Sequence, residues 1–134
     1  MRLWLIPVVA FCLAAADPSQ EVLDLFTNLA ANLSANDARQ FLAVFDPAMP
    51  GFARLRDGVI GLTRAGDVES SVVVESDEGD TQHRSVEVDW RLRIKNNVSA
   101  TASNPREQRL VCKLEKRGGK WKIVSLDPVG FFAP

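Results

Sequence analysis

The segment HRSVEVDWRLRIK, residues 83–95, alternates apolar and polar side chains without a break. Val86, Val88, Trp90, Leu92 and Ile94 share one parity, and Ser85, Glu87, Asp89, Arg91, Arg93 and Lys95 share the other. Side chains on an extended chain point alternately to opposite faces, so this pattern predicts a long strand with one dry face and one wet face. Such a strand needs neighbours to satisfy its backbone and a second layer to cover its dry side. The rest of the chain has to supply both.

Neighbouring strands are written on either side of it. In DVESSVVVES, Val68, Val72 and Val74 share a face with Ser70, and DEGD forms a turn into His83. RLVCKLEKR alternates Leu110, Cys112 and Leu114 inward, and RGGK turns it into KWKIVSLDP. Both turns carry glycine where a tight hairpin needs positive φ. A polar loop, NNVSATASNP, separates the two pairs and contains the glycosylation-like triplet Asn97-Val98-Ser99, a pattern frequent by chance.

The covering layer precedes the strands. Asp17, Pro18 and Gln20 open a helix, in which Val22, Leu25, Phe26, Leu29 and Leu33 recur at helical spacing. NDARQFLAVF predicts a short second helix with Ala38, Phe41, Leu42 and Phe45 on one side, ended by Asp46-Pro47 and Pro50-Gly51. Phe52, Leu55, Val59 and Leu62 mark a third, which Gly66 is placed to terminate. The expectation is an α+β domain in which three N-terminal helices pack in the concave face of a curved antiparallel sheet of about four strands.

The first sixteen residues, MRLWLIPVVAFCLAAA, read differently: Arg2, an apolar run from Leu3 to Leu13, then Ala14-Ala15-Ala16. That is a secretory signal, too short to span a bilayer comfortably, with cleavage expected after Ala16. The chain of 134 residues then becomes 134 - 16 = 118, a single domain over 17–134, and its charge becomes 15 - 17 = -2. The expected location is periplasmic or secreted, with no stable membrane span once the leader is gone. Cys12 leaves with the leader and Cys112 remains, so no intrachain disulfide is expected. Interleaved acids and bases offer no basic field for nucleic acid.

The order of elements, FDPAMPGFARL between the second and third helices, VEVDWRLRI, and GGKWKIVSLDP followed by an aromatic tail resemble the nuclear transport factor 2-like superfamily. The nearest type is the small bacterial SnoaL-like or ketosteroid-isomerase-like domain, here in an exported version. The resemblance covers Ser19 to Pro134 and implies a cone-shaped, cystatin-like roll whose open end leaves an apolar pocket. Phe45, Phe52, Leu55, Trp90, Leu92, Leu114 and Trp121 are the candidate lining residues, and each reads equally as core. Isomerase chemistry of the ketosteroid type needs a cavity carboxylate and a tyrosine beside a protonated aspartic acid; ketosteroid isomerase is a standard illustration of that device. This chain has no tyrosine, and neither catalytic aspartate finds a match. No catalytic residue is therefore assigned.

Other constellations are sparse. His83 stands beside Arg84 and shortly after Asp77, Glu78 and Asp80, where a histidine with a carboxylate can act as a base, although a solvated hairpin end reads the same way. No metal-ligand spacing and no cofactor motif is recognisable. Glu87, Asp89, Arg91 and Arg93 are expected to pair across to Lys113 and Glu115 on the outer sheet face, which also suits a homodimer. On the last strand Trp121 and Ile123 should point inward, while Val124 and Leu126, of opposite parity, should lie on the other face. With Phe131 and Phe132 they form candidate dimer or lid contacts, because an apolar tail has to dock somewhere. The function expected is an exported, non-catalytic domain that dimerises and binds a small apolar molecule in its cone. The alternative is a SnoaL-like isomerase, cyclase or hydrolase using His83 or a cavity acid such as Asp46 or Asp57, and a docking surface for another envelope protein stays open.

Overall fold

The computed structural model describes residues 17–95 and 105–134. The expected leader and the Asn97-Val98-Ser99 triplet lie outside the described residues. Helix α1 (Pro18–Ser34) begins as read: Asp17 caps it by accepting from the Ser19 amide at 3.0 Å, with proline at the first helical position. Its buried stripe is Val22, Phe26, Leu29, Ala30 and Leu33. Helix α2 (Ala38–Leu42) is capped by Asp37, and α3 (Phe52–Ala65) buries Leu55, Val59 and Leu62. Among the described residues no helix is long and apolar enough to cross a membrane.

Four antiparallel strands follow in sequential order: β1 (Asp67–Gly79), β2 (His83–Lys95), β3 (Arg106–Arg117) and β4 (Lys120–Asp127). The α+β expectation holds. Gly118 and Gly119, at φ 57° and 80°, form the two-residue β3–β4 turn, the double positive φ that matches strand twist. Gly66 ends α3 for a different reason from the one expected. Its φ of 163° is extended rather than left-handed, and a Cβ there would sit 2.2 Å from the Lys95 carbonyl oxygen. Close approach of two chains, not a left-handed cap, demands glycine at this position.

Part of each sheet edge is covered by the segments that flank α2. On β1, Asn36 accepts from the Val68 amide at 3.1 Å and Ser34 Oγ accepts from the Ser70 amide at 3.1 Å. Asn36 adopts φ 54° and also donates to the carbonyls of Thr63 and Gly66, both at 2.8 Å, so one side chain ties the ends of α1 and α3 to β1. On β4, residue 45 forms a parallel bridge to Ile123, with Asp46 N–H donating to Ile123 and Ile123 N–H to Val44. Phe45 was expected on the second helix; α2 stops at Leu42 and the bridge buries Phe45 instead. Pairing of this kind shortens the free edges through which sheets aggregate.

The parity expected for Leu126 fails, for a local reason. Leu114 pairs with Ile123 but Lys113 pairs with Ser125, so Val124 is an extra residue on β4. A bulge inverts the parity beyond it, and Leu126 turns inward opposite Cys112, joining the core. The outer-face charges also choose other partners than expected. Register puts Arg109 opposite Asp89 and Glu107 opposite Arg91, with ion pairs of 2.9 and 3.0 Å, while Arg93 and Lys95 reach Glu69 and Glu115 pairs with Arg117.

One prediction tests the edge clip. Asn36→Ala removes three hydrogen bonds, each worth about 0.5–1.5 kcal/mol net, and leaves a non-glycine residue without its local anchor at positive φ. Urea unfolding should show a loss of about 2–3 kcal/mol; a loss within experimental error would mean that Asn36 does not clip the layers.

Candidate functional site

The interior between helices and sheet is the place where a site would form, and its centre is apolar. Phe45, Leu55, Trp90, Leu92 and Leu114 are at most 2% exposed and Trp121 is 6% exposed, all in one cluster; Phe52 is half-buried against it. The candidate lining residues therefore come together as contiguous packing. No polar or charged residue is counted among the buried residues described.

What fills the interior is the segment after β4. Residues Val129–Phe132 form a short 3-10 turn behind Pro128, and Phe131 and Phe132 are buried. The Phe132 ring stands edge-on to Trp90 at 5.0 Å and to Phe41 at 5.3 Å, while Phe26 and Phe41 approach Trp90 at 6.3 and 6.2 Å. Edge-to-face contacts are the favoured aromatic geometry and add about 0.5–1.5 kcal/mol each beyond burial. The Trp90 indole N–H donates to Ser70 Oγ at 2.8 Å, so its one polar group is satisfied inside the layer. Of the four candidate dimer or lid residues, Leu126, Phe131 and Phe132 are thus core, and Val124 is half-buried at the bulge.

The segment is held along its length. Arg106 donates to the carbonyls of both Phe131, at 2.9 Å, and Ala133. Glycines on α3 let it lie close: a Cβ on Gly58 would stand 3.3 Å from the Ala133 backbone, and one on Gly61 3.2 Å from the Pro134 ring. The Arg54 guanidinium lies against Gly130, and an open groove of about 380 Å³ runs between Arg54, Arg106, Gln108, Pro128, Gly130 and Phe131.

Two arginines hold inward parity on the sheet, one near each end of the β2–β3 ladder. Arg106 is opposite Leu92, and Arg84 is opposite Leu114. A bulge at Glu75 shifts β1 by one residue, so that Asp77 faces Val86 and meets Arg84 Nε at 2.6 Å, with both side chains about nine-tenths buried. Asp77 Oδ2 is sealed from solvent and accepts no hydrogen bond from the described residues. The sequence signal for both arginines was present as a charge on the dry parity at a strand end. The shift that brings Asp77 to Arg84 had no such signal.

The residues considered for acid–base chemistry sit elsewhere. His83 is 70% exposed, with Nδ1 3.8 Å from Asp80, and Asp57 is 73% exposed beside Arg56. Backbone amides of Gln82 and His83 hold the Asp80 carboxyl below its ordinary range. Asp46 is held low as well, first by the Ala48 amide and then by Arg117 at 2.6 Å, in a structural clasp next to the Phe45 bridge. Burial pushes the Cys112 thiol up to about 12, which leaves it protonated and unreactive. Among the described residues no group of three or more His, Cys, Asp or Glu could hold a metal ion.

No protein-family model matches the chain, and no curated protein matches it in sequence. Solved structures match in fold. An NTF-2 like protein of unknown function from Shewanella oneidensis is 10% identical, with a TM-score of 0.65 over 82% of this chain and 97% of that one. A candidate scytalone dehydratase from Novosphingobium aromaticivorans is 9% identical, TM-score 0.70, over 81% of this chain and 80% of that one. A cystatin-like protein of unknown function from Nostoc punctiforme is 17% identical, TM-score 0.60, over 82% and 91%. The fold is therefore NTF2-like, as the resemblance in sequence implied.

Two measurements follow from these positions. Cys112 should resist alkylation by iodoacetamide at mildly alkaline pH in the folded protein and react fully in denaturant; reaction at the same rate in both would show that the strand opens. For Asp46, a carboxyl lowered by folding stabilises above its ordinary pKa of 3.8 and loses that effect as pH falls through the depressed value. Asp46→Asn should thus lower the melting temperature near neutral pH, and the gap to the parent should close in acid. A gap that persists unchanged into acid would show that the carboxylate charge is not what matters.

Proposed function

We propose that this chain is an exported, non-catalytic NTF2-like domain that pairs with a second copy through the outer face of its sheet and takes a small apolar molecule into its cone. The observation that carries the non-catalytic part is the position of the acids and the histidine. His83 and Asp57 lie in solvent, Asp46 is tied to Arg117, and Asp77 to Arg84, so none is free beside the apolar interior. A general base has to reach a substrate proton within hydrogen-bond distance. The fold is shared with a candidate scytalone dehydratase at 9% identity, and that likeness carries no chemistry to this chain.

Pairing is supported by the outer face. Val73 and Val111 are 59% and 39% exposed there, amid charges that are largely neutralised within the chain. A face of paired charges around apolar side chains can meet its own copy about a two-fold axis without net repulsion. Export is supported by the leader-like composition of residues 1–16 and by the lone buried cysteine, which needs no reducing compartment.

Light scattering behind size exclusion, run on residues 17–134, tests the pairing. A dimer is expected, and Val73→Lys with Val111→Lys, which set a base opposite Asp89 and Glu87, should give a folded monomer, since exposed substitutions shift stability by only about 0.5 kcal/mol. A parent protein that stays monomeric at the highest workable concentration would remove the pairing from the reading.

A further inference from the structure

We propose that residues 129–134 occupy a binding site for a ligand with an aromatic body and an anionic head, and that the ligand enters by displacing them. This rests on the reading of the cone as a ligand site, and it names the ligand class and the gate. The body of the site is the place now taken by Phe132, a slot edged by Phe41 and Trp90, with the Trp90 N–H already engaged by Ser70. Such a slot selects flat aromatic rings and offers nothing to a polar group.

The head is specified by Arg106 and Arg54. In the closed form Arg106 donates to two backbone carbonyls of the segment, and Arg54 packs on Gly130. Moving the segment away leaves Arg106 without those two acceptors at the mouth of an apolar slot. Its forked donors then fit a carboxylate better than the two carbonyls they leave, because a charged acceptor strengthens each hydrogen bond. Glu107 also borders the groove, but its carboxylate is engaged by Arg91 at 3.0 Å on the outer face.

Over α3 the end of the segment lies against Gly58 and Gly61, which present no side chain, while Phe131 and Phe132 carry its apolar packing and Arg106 its polar hold. A ligand that binds only the open form is weakened by the closed fraction, and any change that opens the form strengthens binding by the same factor. The segment is therefore a competitor carried by the chain itself.

The test uses two probes of one shape, naphthalene carboxylate and the neutral naphthalene methanol, titrated calorimetrically. Gly58→Leu places a side chain where Ala133 lies without touching the aromatic slot. It should speed chymotryptic release of the segment by cleavage after Phe131 and Phe132, and tighten the carboxylate by about tenfold over the parent, following the open fraction. Adding Arg106→Gln should abolish the preference for carboxylate over methanol. If Gly58→Leu does not fold, Arg106→Gln alone serves: loss of the clamp should speed release and tighten the neutral probe about tenfold, again with the open fraction. Release without tighter binding overturns the plug. A parent that binds both probes as tightly as the opened variants also overturns it, while leaving the cone as a ligand site. If neither probe binds any variant, the ligand site itself fails and the plug with it.

Discussion

Trp90 is the residue on which the layers converge. It stands at the middle of β2, opposite Val72 and Gln108, and its indole meets Phe26 from α1, Phe41 from α2 and Phe132 from the last turn. Each contact is edge-on, so the ring is gripped without stacking, and the one donor it carries is answered by Ser70 on the neighbouring strand. A buried indole with an unanswered N–H would cost about 1–3 kcal/mol. The β1–β2 register therefore matters as much to this residue as the helices do. Without Trp90 the three phenylalanines would face a void, and large-to-small changes of this kind typically cost about 3–5 kcal/mol.

The edge strands are also tied to the helical layer. Asn36 and Ser34 answer the exposed amides at the start of β1, and the bridge from residue 45 covers β4. The same loops carry Asp46 to Arg117 and Lys122 to the Ala43 carbonyl, so the edge of the sheet is tied to the end of α2. Conformation at positive φ, three hydrogen bonds and two helix ends meet in Asn36, a residue that the sequence pattern assigned only to the start of the second helix.

The bulges at Glu75 and Val124 decide which side chains reach the interior. At Val124 the shift recruits Leu126 to the core, a burial worth about 1.5–3 kcal/mol. At Glu75 it turns Asp77 inward to Arg84, where an ion pair largely out of water is sustained only by its own geometry. The far end of the sheet repeats the motif with a different partner: Arg106 meets backbone carbonyls of the aromatic segment in place of a carboxylate. One arginine is matched in charge and the other is not, and this difference separates a structural end of the roll from the end where binding is proposed.

The sequence by itself determined the layers. Period-two alternation in 83–95 and the stripes of α1 and α3 follow from which faces must leave water, a demand written residue by residue and independent of distant partners. The helix cap at Asp17 and the double-glycine turn were legible for the same reason, since each is satisfied within a few residues. Candidate pocket residues could be named as inward but not as pocket or core, because parity says which face is dry and not what lies against it. Only the tertiary structure decided that Phe131 and Phe132 fill that space, that Leu126 turns inward, and that Arg106 clamps the segment. Bulges and long-range clamps depend on how two strands or a tail happen to meet, and that information sits in pairs of residues far apart in the chain.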